Sequence, residues 1–113
     1  MRGIEGEQVL LRIFIGESDR IGHQSLYLAL LELFRKRGLA GATMTKGVAG
    51  FGANSVIHTT RILDVSSDLP LVIEVVDTQQ HIDSVLPDVD RMMGGGLITM
   101  ENVKVVRYRD ART

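Results

Sequence analysis

Hydrophobic positions along the chain change period several times, and each change marks an element. Val9–Ile15 is apolar except for Arg12 and rich in strand formers, too short for a free-standing helix, and predicts a strand covered on both faces. Gly16–Gly22 is a turn by composition. From about Ser25, a suitable N-cap, Tyr27, Leu30, Leu31 and Phe34 fall at i, i+3, i+4 and i+7 and predict a helix. Arg35, Lys36 and Arg37 suit its negative dipole end, and Gly38 its left-handed terminus. Ala40–Thr45 reads as a short strand, Thr60–Val65 alternates weakly, and Ser66–Asp68 turns into a second apolar strand, Leu71–Val76, whose one charge is Glu74. Asp77 or Thr78 caps a second helix with the stripe Ile82, Val85, Leu86, Val89 and Met93. Pro87 inside it costs about 3 kcal/mol or a kink, predicting a bend near Asp83–Leu86. Gly94–Gly96 ends this helix, and Val103–Tyr108 is the last strand.

The order strand, helix, strand, strand, helix, strand is the split βαβ pattern of an α+β, ferredoxin-like βαββαβ sandwich. It has a four-stranded antiparallel sheet with two helices on one face. Two strands apolar on both sides leave the open face in need of a cover, and self-association supplies one. One segment stands outside this regularity: Lys46–Thr59 holds three glycines and a lone aromatic, with no period of 2 or 3.6. A connection of that length inside a small domain usually has a job to do.

Composition narrows the possibilities. The 113 residues form a single domain, with frayed ends expected at about 1–7 and 110–113. Thirteen basic and fourteen acidic residues leave a net charge of −1, so no overall field favours nucleic acid or an anionic membrane. Without cysteine there is no disulfide, thiolate metal site or cysteine nucleophile. The absence of a signal-like start or an apolar run of ~18 residues leads to the expectation of a cytoplasmic protein that is not embedded in a membrane. Three scattered histidines, His23, His58 and His81, have no metal-ligand spacing, and no metal is expected.

Several residues carry candidate chemistry, each with an ordinary reading beside it. Gly50-Phe51-Gly52 suits close backbone approach to an anion with a phenyl ring over a base, and equally a turn anchored by one aromatic. Gly94, Gly95 and Gly96 suit a phosphate-accepting nest or a plain helix terminator. Arg107 and Arg109, two apart in an extended strand, share a face and form a guanidinium pair for phosphate or a pair of solvated charges. Lys46 is a phosphate contact or a surface lysine, and His58 a ligand contact or a structural histidine. Glu17, Asp19 and Arg20 anchor a ligand at the end of the first strand or form a salt-bridged turn. Asp68 and Asp77 read as turn and cap residues.

The runs Arg12–Arg20, Gly38–Thr43, Lys46–Gly52, Ile57–Thr59 and Ser67–Asp77 resemble the PII-like family called domain of unknown function 190, with the likeness extending from about Val9 to Tyr108. The resemblance implies a homotrimer related to PII nitrogen-signalling proteins, which bind adenine nucleotides between subunits and present a long loop to partners. On that pattern Gly50-Phe51-Gly52 matches the base of the signalling loop. Gly94, Gly95, Gly96 and Leu97 match the second nucleotide loop, and Arg107 and Arg109 lie near the phosphate-contacting arginines. PII continues its loop motif with arginine and glutamine, whereas Ala53-Asn54 follows here, at odds with PII's magnesium and 2-oxoglutarate ligation. PII also has lysine in the second loop, but Met92–Met100 contains no basic residue, which favours a mono- or diphosphate over ATP.

The expectation is a non-enzymatic, trimeric signalling protein with an adenine nucleotide as effector and no required cofactor. Its ligand-binding residues are Lys46, Gly50, Phe51, Gly52, His58, Gly94, Gly95, Gly96, Leu97, Arg107 and Arg109. A mobile, regulatory 46–59 loop would meet a transporter or an enzyme. The rival readings are a small phosphohydrolase using His58 and a structural or metal-tolerance trimer without nucleotide sensing.

Overall fold

A computed structural model describes residues 2–51 and 68–109. The chain forms β1 (Gly6–Gly16), the two-residue strands β2 (Arg20–Ile21) and β3 (Gln24–Ser25), and α1 (Leu26–Lys36). β4 (Thr43–Lys46), β5 (Pro70–Asp77), α2 (Gln79–Met92) and β6 (Leu97–Val105) follow. The sheet order is β4-β5-β1-β6, with every neighbouring pair antiparallel, so the α+β split βαβ arrangement is as the pattern implies. The weakly alternating 60–65 stretch lies outside the described residues.

Alternation decides the layers. Val9, Leu11, Ile13 and Ile15 of β1 and Leu71, Ile73 and Val75 of β5 are buried and pack with Leu26, Leu30 and Phe34 of α1 and Ile82, Val85 and Val89 of α2. The intervening Leu10, Arg12, Phe14, Val72, Glu74 and Val76 are half-buried on the other face. The two charges that interrupt the apolar strands are direct cross-strand partners: Arg12 Nε donates to Glu74 Oε2 at 2.7 Å, and its Nη1 to Glu101 Oε1 at 2.7 Å. Glu74 first, then Glu101, hold the Arg12 guanidinium above its ordinary pKa. The open face thus presents Leu10, Phe14, Val72 and Val76 around a central cluster in which two carboxylates flank the Arg12 cation.

Several boundaries differ from the sequence expectation. The first strand begins at Gly6, and Ile4 is 3% exposed, so the stretch read as a frayed end is tied into the fold. Arg2 contributes: its guanidinium is ion-paired with Asp77, and its Nη2 also donates to Gly38 O at 2.9 Å. The second strand runs Thr43–Lys46 in place of Ala40–Thr45. The last strand is Leu97–Val105, not Val103–Tyr108, because pairing with β1 from Phe14 back to Gly6 sets its bounds, while its polar edge residues carry little hydrophobic pattern. The Gly16–Gly22 turn contains β2, which pairs with β3.

In α1 the buried stripe is Leu26, Leu30 and Phe34, one position out of phase with Tyr27. Ser25 sits at the N-cap without a side-chain cap bond; Leu26 N donates instead to Asp19 O at 2.9 Å. Thr78 does cap α2, accepting from His81 N at 3.1 Å, and the helix runs unbroken through Pro87.

Candidate functional site

The end of the sheet where β1 finishes opens into a cleft of about 630 Å³. Phe14, Ile15 and Gly16 form one wall, Pro70 and Leu97 begin the flanking strands, and Phe51, Asp68 and the turn Gly94–Gly96 complete the rim. Two carboxylates fix the turn beneath it. Gly16 N donates to Asp19 Oδ2 at 3.0 Å and Ser18 N to Asp68 Oδ1 at 2.8 Å, while Glu17 N reaches Leu69 O at 2.9 Å. Gly16 leaves room for both acids, since a Cβ there would lie 3.1 Å from Asp68 Oδ2 and 3.3 Å from Asp19 Oδ1. Arg20 also lines the cleft, with its Nη2 donating to His23 O.

Gly96 is demanded by the geometry. At φ +117° it lies where side chains are disfavoured, and a Cβ would come within 2.7 Å of Phe14 O. Gly96 is therefore more than part of a helix stop: it lets the backbone pass directly over β1 at the cleft mouth.

The structure gathers Phe51, Gly94, Gly95, Gly96 and Leu97, five of the residues singled out in the sequence, around this cleft. Gly50 stands just behind, with a Cβ there only 3.1 Å from Pro70 Cγ, and Gly47 N is bonded to Pro70 O at 2.8 Å. Lys46 lies outside the lining, its Nζ 2.8 Å from Glu17 Oε2. Gly52 and His58 fall outside the described residues.

Arg107 and Arg109 are exposed and lie beyond the end of β6, not within a strand. Leu97 pairs with Phe14 at the cleft, whereas Val105 pairs with Gly6 at the far end of the sheet. At ~3.4 Å per residue, β6 spans roughly 27 Å from Leu97 at the cleft to Val105, and the arginines follow that far end.

Asp68, read as a turn residue, Phe14, read as part of a strand, and Pro70, which falls between that turn and the second apolar strand, were missed as site residues. Their signal is faint but present: Gly16-Glu17-Ser18-Asp19-Arg20 is a dense polar run at the end of an apolar strand, and Asp68 precedes the strand that returns beside it. Glu17, Asp19 and Arg20 divide between the two readings, since Glu17 forms an ion pair and the other two line the cleft. Among the described residues no group of three or more His, Cys, Asp or Glu is arranged to hold a metal ion, and no helix is long and apolar enough to cross a membrane.

The family model DUF190, described as Uncharacterized ACR, matches residues 8–105. A UPF0166 protein of Aquifex aeolicus is 36% identical over 97 residues, covering 86% of this chain and 91% of that protein. A UPF0166 protein of Methanocaldococcus jannaschii is 30% identical over 99 residues, covering 87% and 91%. Among solved structures, CPII, a nitrogen regulatory PII-like protein from Thiomonas intermedia K12 bound to ADP, AMP and bicarbonate, is similar with a TM-score of 0.64 at 12% identity, covering 88% of this chain and 94% of that one. CPII bound to ADP and bicarbonate gives 0.58 at 14% identity, covering 89% and 90%. At such identities the likeness is one of fold.

Proposed function

The chain belongs to the DUF190 family, and from that premise we propose that it is a PII-like, non-enzymatic regulatory protein of the cytoplasm. It assembles as a homotrimer, binds AMP or ADP in preference to ATP in clefts between subunits, and presents the 46–59 loop to a partner protein such as a transporter or an enzyme. One observation carries this reading: Phe51, the Gly94–Gly96 turn and the end of β1, far apart in sequence, enclose a single cleft of about 630 Å³. That volume falls in the range of small-molecule sites. The structurally similar CPII, crystallised with ADP and AMP, supports a nucleotide as the occupant.

The need for a second subunit follows from the cations. Arg107 and Arg109 lie at the wrong end of β6 to serve their own cleft, so phosphate neutralisation falls to a neighbour's pair. The half-buried Leu10, Phe14, Val72 and Val76 give the neighbour an apolar face to cover, with Arg12 already neutralised in its midst. Preference for few phosphates follows from the lining, where among the described residues Arg20 is the one cation beside Asp19 and Asp68, and no base occurs in Met92–Met100. Phe51 belongs both to the cleft rim and to the loop, so occupancy acts on the loop without chemistry.

Isothermal titration with AMP, ADP, ATP and cyclic AMP tests the proposal. Saturable binding of AMP or ADP, tighter than ATP, is expected. Absence of binding by all four would overturn it.

A further inference from the structure

Resting on the nucleotide reading above, we infer that Asp19 and Asp68 recognise the vicinal diol of a ribose, making the site selective for ribonucleotides over deoxyribonucleotides. Each carboxylate spends one oxygen on the turn, Asp19 Oδ2 on Gly16 N and Asp68 Oδ1 on Ser18 N. The remaining oxygens, Asp19 Oδ1 and Asp68 Oδ2, receive no hydrogen bond from any described residue. With the turn-bonded Asp68 Oδ1 at 3.0 Å, they lie 3.3 and 3.1 Å from the point where a Gly16 Cβ would stand, which brings both carboxylates to one side of Gly16. Both residues line the cleft.

Two adjacent carboxylate oxygens present acceptors and no donor, which decides what part of a nucleotide lies against them. Phosphate is itself an acceptor and an anion, and is repelled. The Watson–Crick edge of adenine offers an amine donor beside the ring N1 acceptor, so one of the two contacts is mismatched. A ribose diol offers two neighbouring hydroxyl donors, one for each oxygen, and bonds to ionised acceptors are the stronger kind. The rest of the cleft divides accordingly. Phe14, Phe51, Pro70 and Leu97 give an apolar slot for a base, and the Gly94–Gly96 backbone lies at the mouth for the phosphate. Gly16 is part of the device, since a Cβ there would press on both carboxylates and displace them.

The test is titration of the full chain with AMP, 2′-deoxy-AMP, 3′-deoxy-AMP and 2′,3′-dideoxy-AMP. Each single deoxy analogue is expected to bind about tenfold more weakly than AMP, and the dideoxy analogue more weakly still. Asp19→Asn and Asp68→Asn should weaken AMP yet narrow its advantage over the deoxy analogues, the coupling expected of direct contact. Because the analogue series uses the unaltered protein, it stands even where a variant disturbs the turn. AMP and dideoxy-AMP binding with equal affinity would overturn the diol assignment and leave the nucleotide site intact. Failure of AMP to bind would overturn both.

Discussion

The two ends of the central sheet treat their carboxylates in opposite ways. Where β5 ends, Asp77 is fully buried and surrounded: Arg2 pairs with it, and Ala40 N and Thr78 N donate to it at 2.8 and 2.7 Å. Burial alone would push its carboxyl up, but the Arg2 bond and the two backbone donors outweigh it and hold Asp77 below the usual carboxylate range. Where β5 begins, Asp19 and Asp68 line the cleft and keep one oxygen each on the turn, while the other receives no hydrogen bond from any described residue. A polar group whose partners are all internal stabilises the fold. A polar group left half-satisfied beside a cavity is available to a ligand. The difference assigns the carboxylate of one end to stability and the two carboxylates of the other to recognition.

The largest effect should come from breaking the closed end. Asp77→Ala removes the acceptor of Arg2 and of two backbone N–H groups, and should cost about 3 kcal/mol in denaturant unfolding. Acid should act on the same group. Its proton is held less tightly in the folded than in the unfolded chain, so its contribution is complete above the ordinary Asp value of about 3.9 and is lost as pH falls through the lower folded value. Unfolding at pH 2 to 5 should therefore show a steeper acid loss in the unaltered protein than in Asp77→Asn.

At the open end the pattern should reverse. Phe51 is 69% exposed, so Phe51→Ala should leave the thermal midpoint within about 1 °C but weaken AMP about tenfold, the scale of one aromatic contact. The smallest effect belongs to the loop's entry. Glu17→Gln breaks an exposed ion pair with Lys46 and should cost less than about 1 kcal/mol in stability. A Glu17 variant as disruptive as Asp77→Ala would erase the distinction between the two ends.

The element types and the sheet were legible because burial imposes a period. Val9–Ile15 and Leu71–Val76 announce central strands, and Ile82, Val85 and Val89 a packed helix face. Leu97–Val105 was misplaced because it is an edge strand held by backbone pairing with β1, and Thr99, Glu101 and Asn102 carry no apolar alternation. Half of the cleft was readable from Phe51 and the Gly94–Gly96 run, a lone aromatic and a glycine cluster that suit a site as well as a turn or a helix stop. Asp68 and Asp77 look alike in sequence, each a polar residue at one end of the same strand. Only the arrival of Arg2, Ala40 and Thr78 at one and of Gly16 and Ser18 at the other separates their roles. Such pairings span up to 75 residues, and no local pattern encodes them.

Hydrogen–deuterium exchange with and without saturating AMP examines the proposed inter-subunit site most directly. Protection at Phe51 and Gly94–Leu97 together with Arg107–Arg109 is the predicted result, because segments at opposite ends of one sheet are joined at a shared ligand only by a neighbouring subunit. Protection at the cleft without the arginine segment would contradict the shared site, and unchanged exchange at both would contradict the cleft itself.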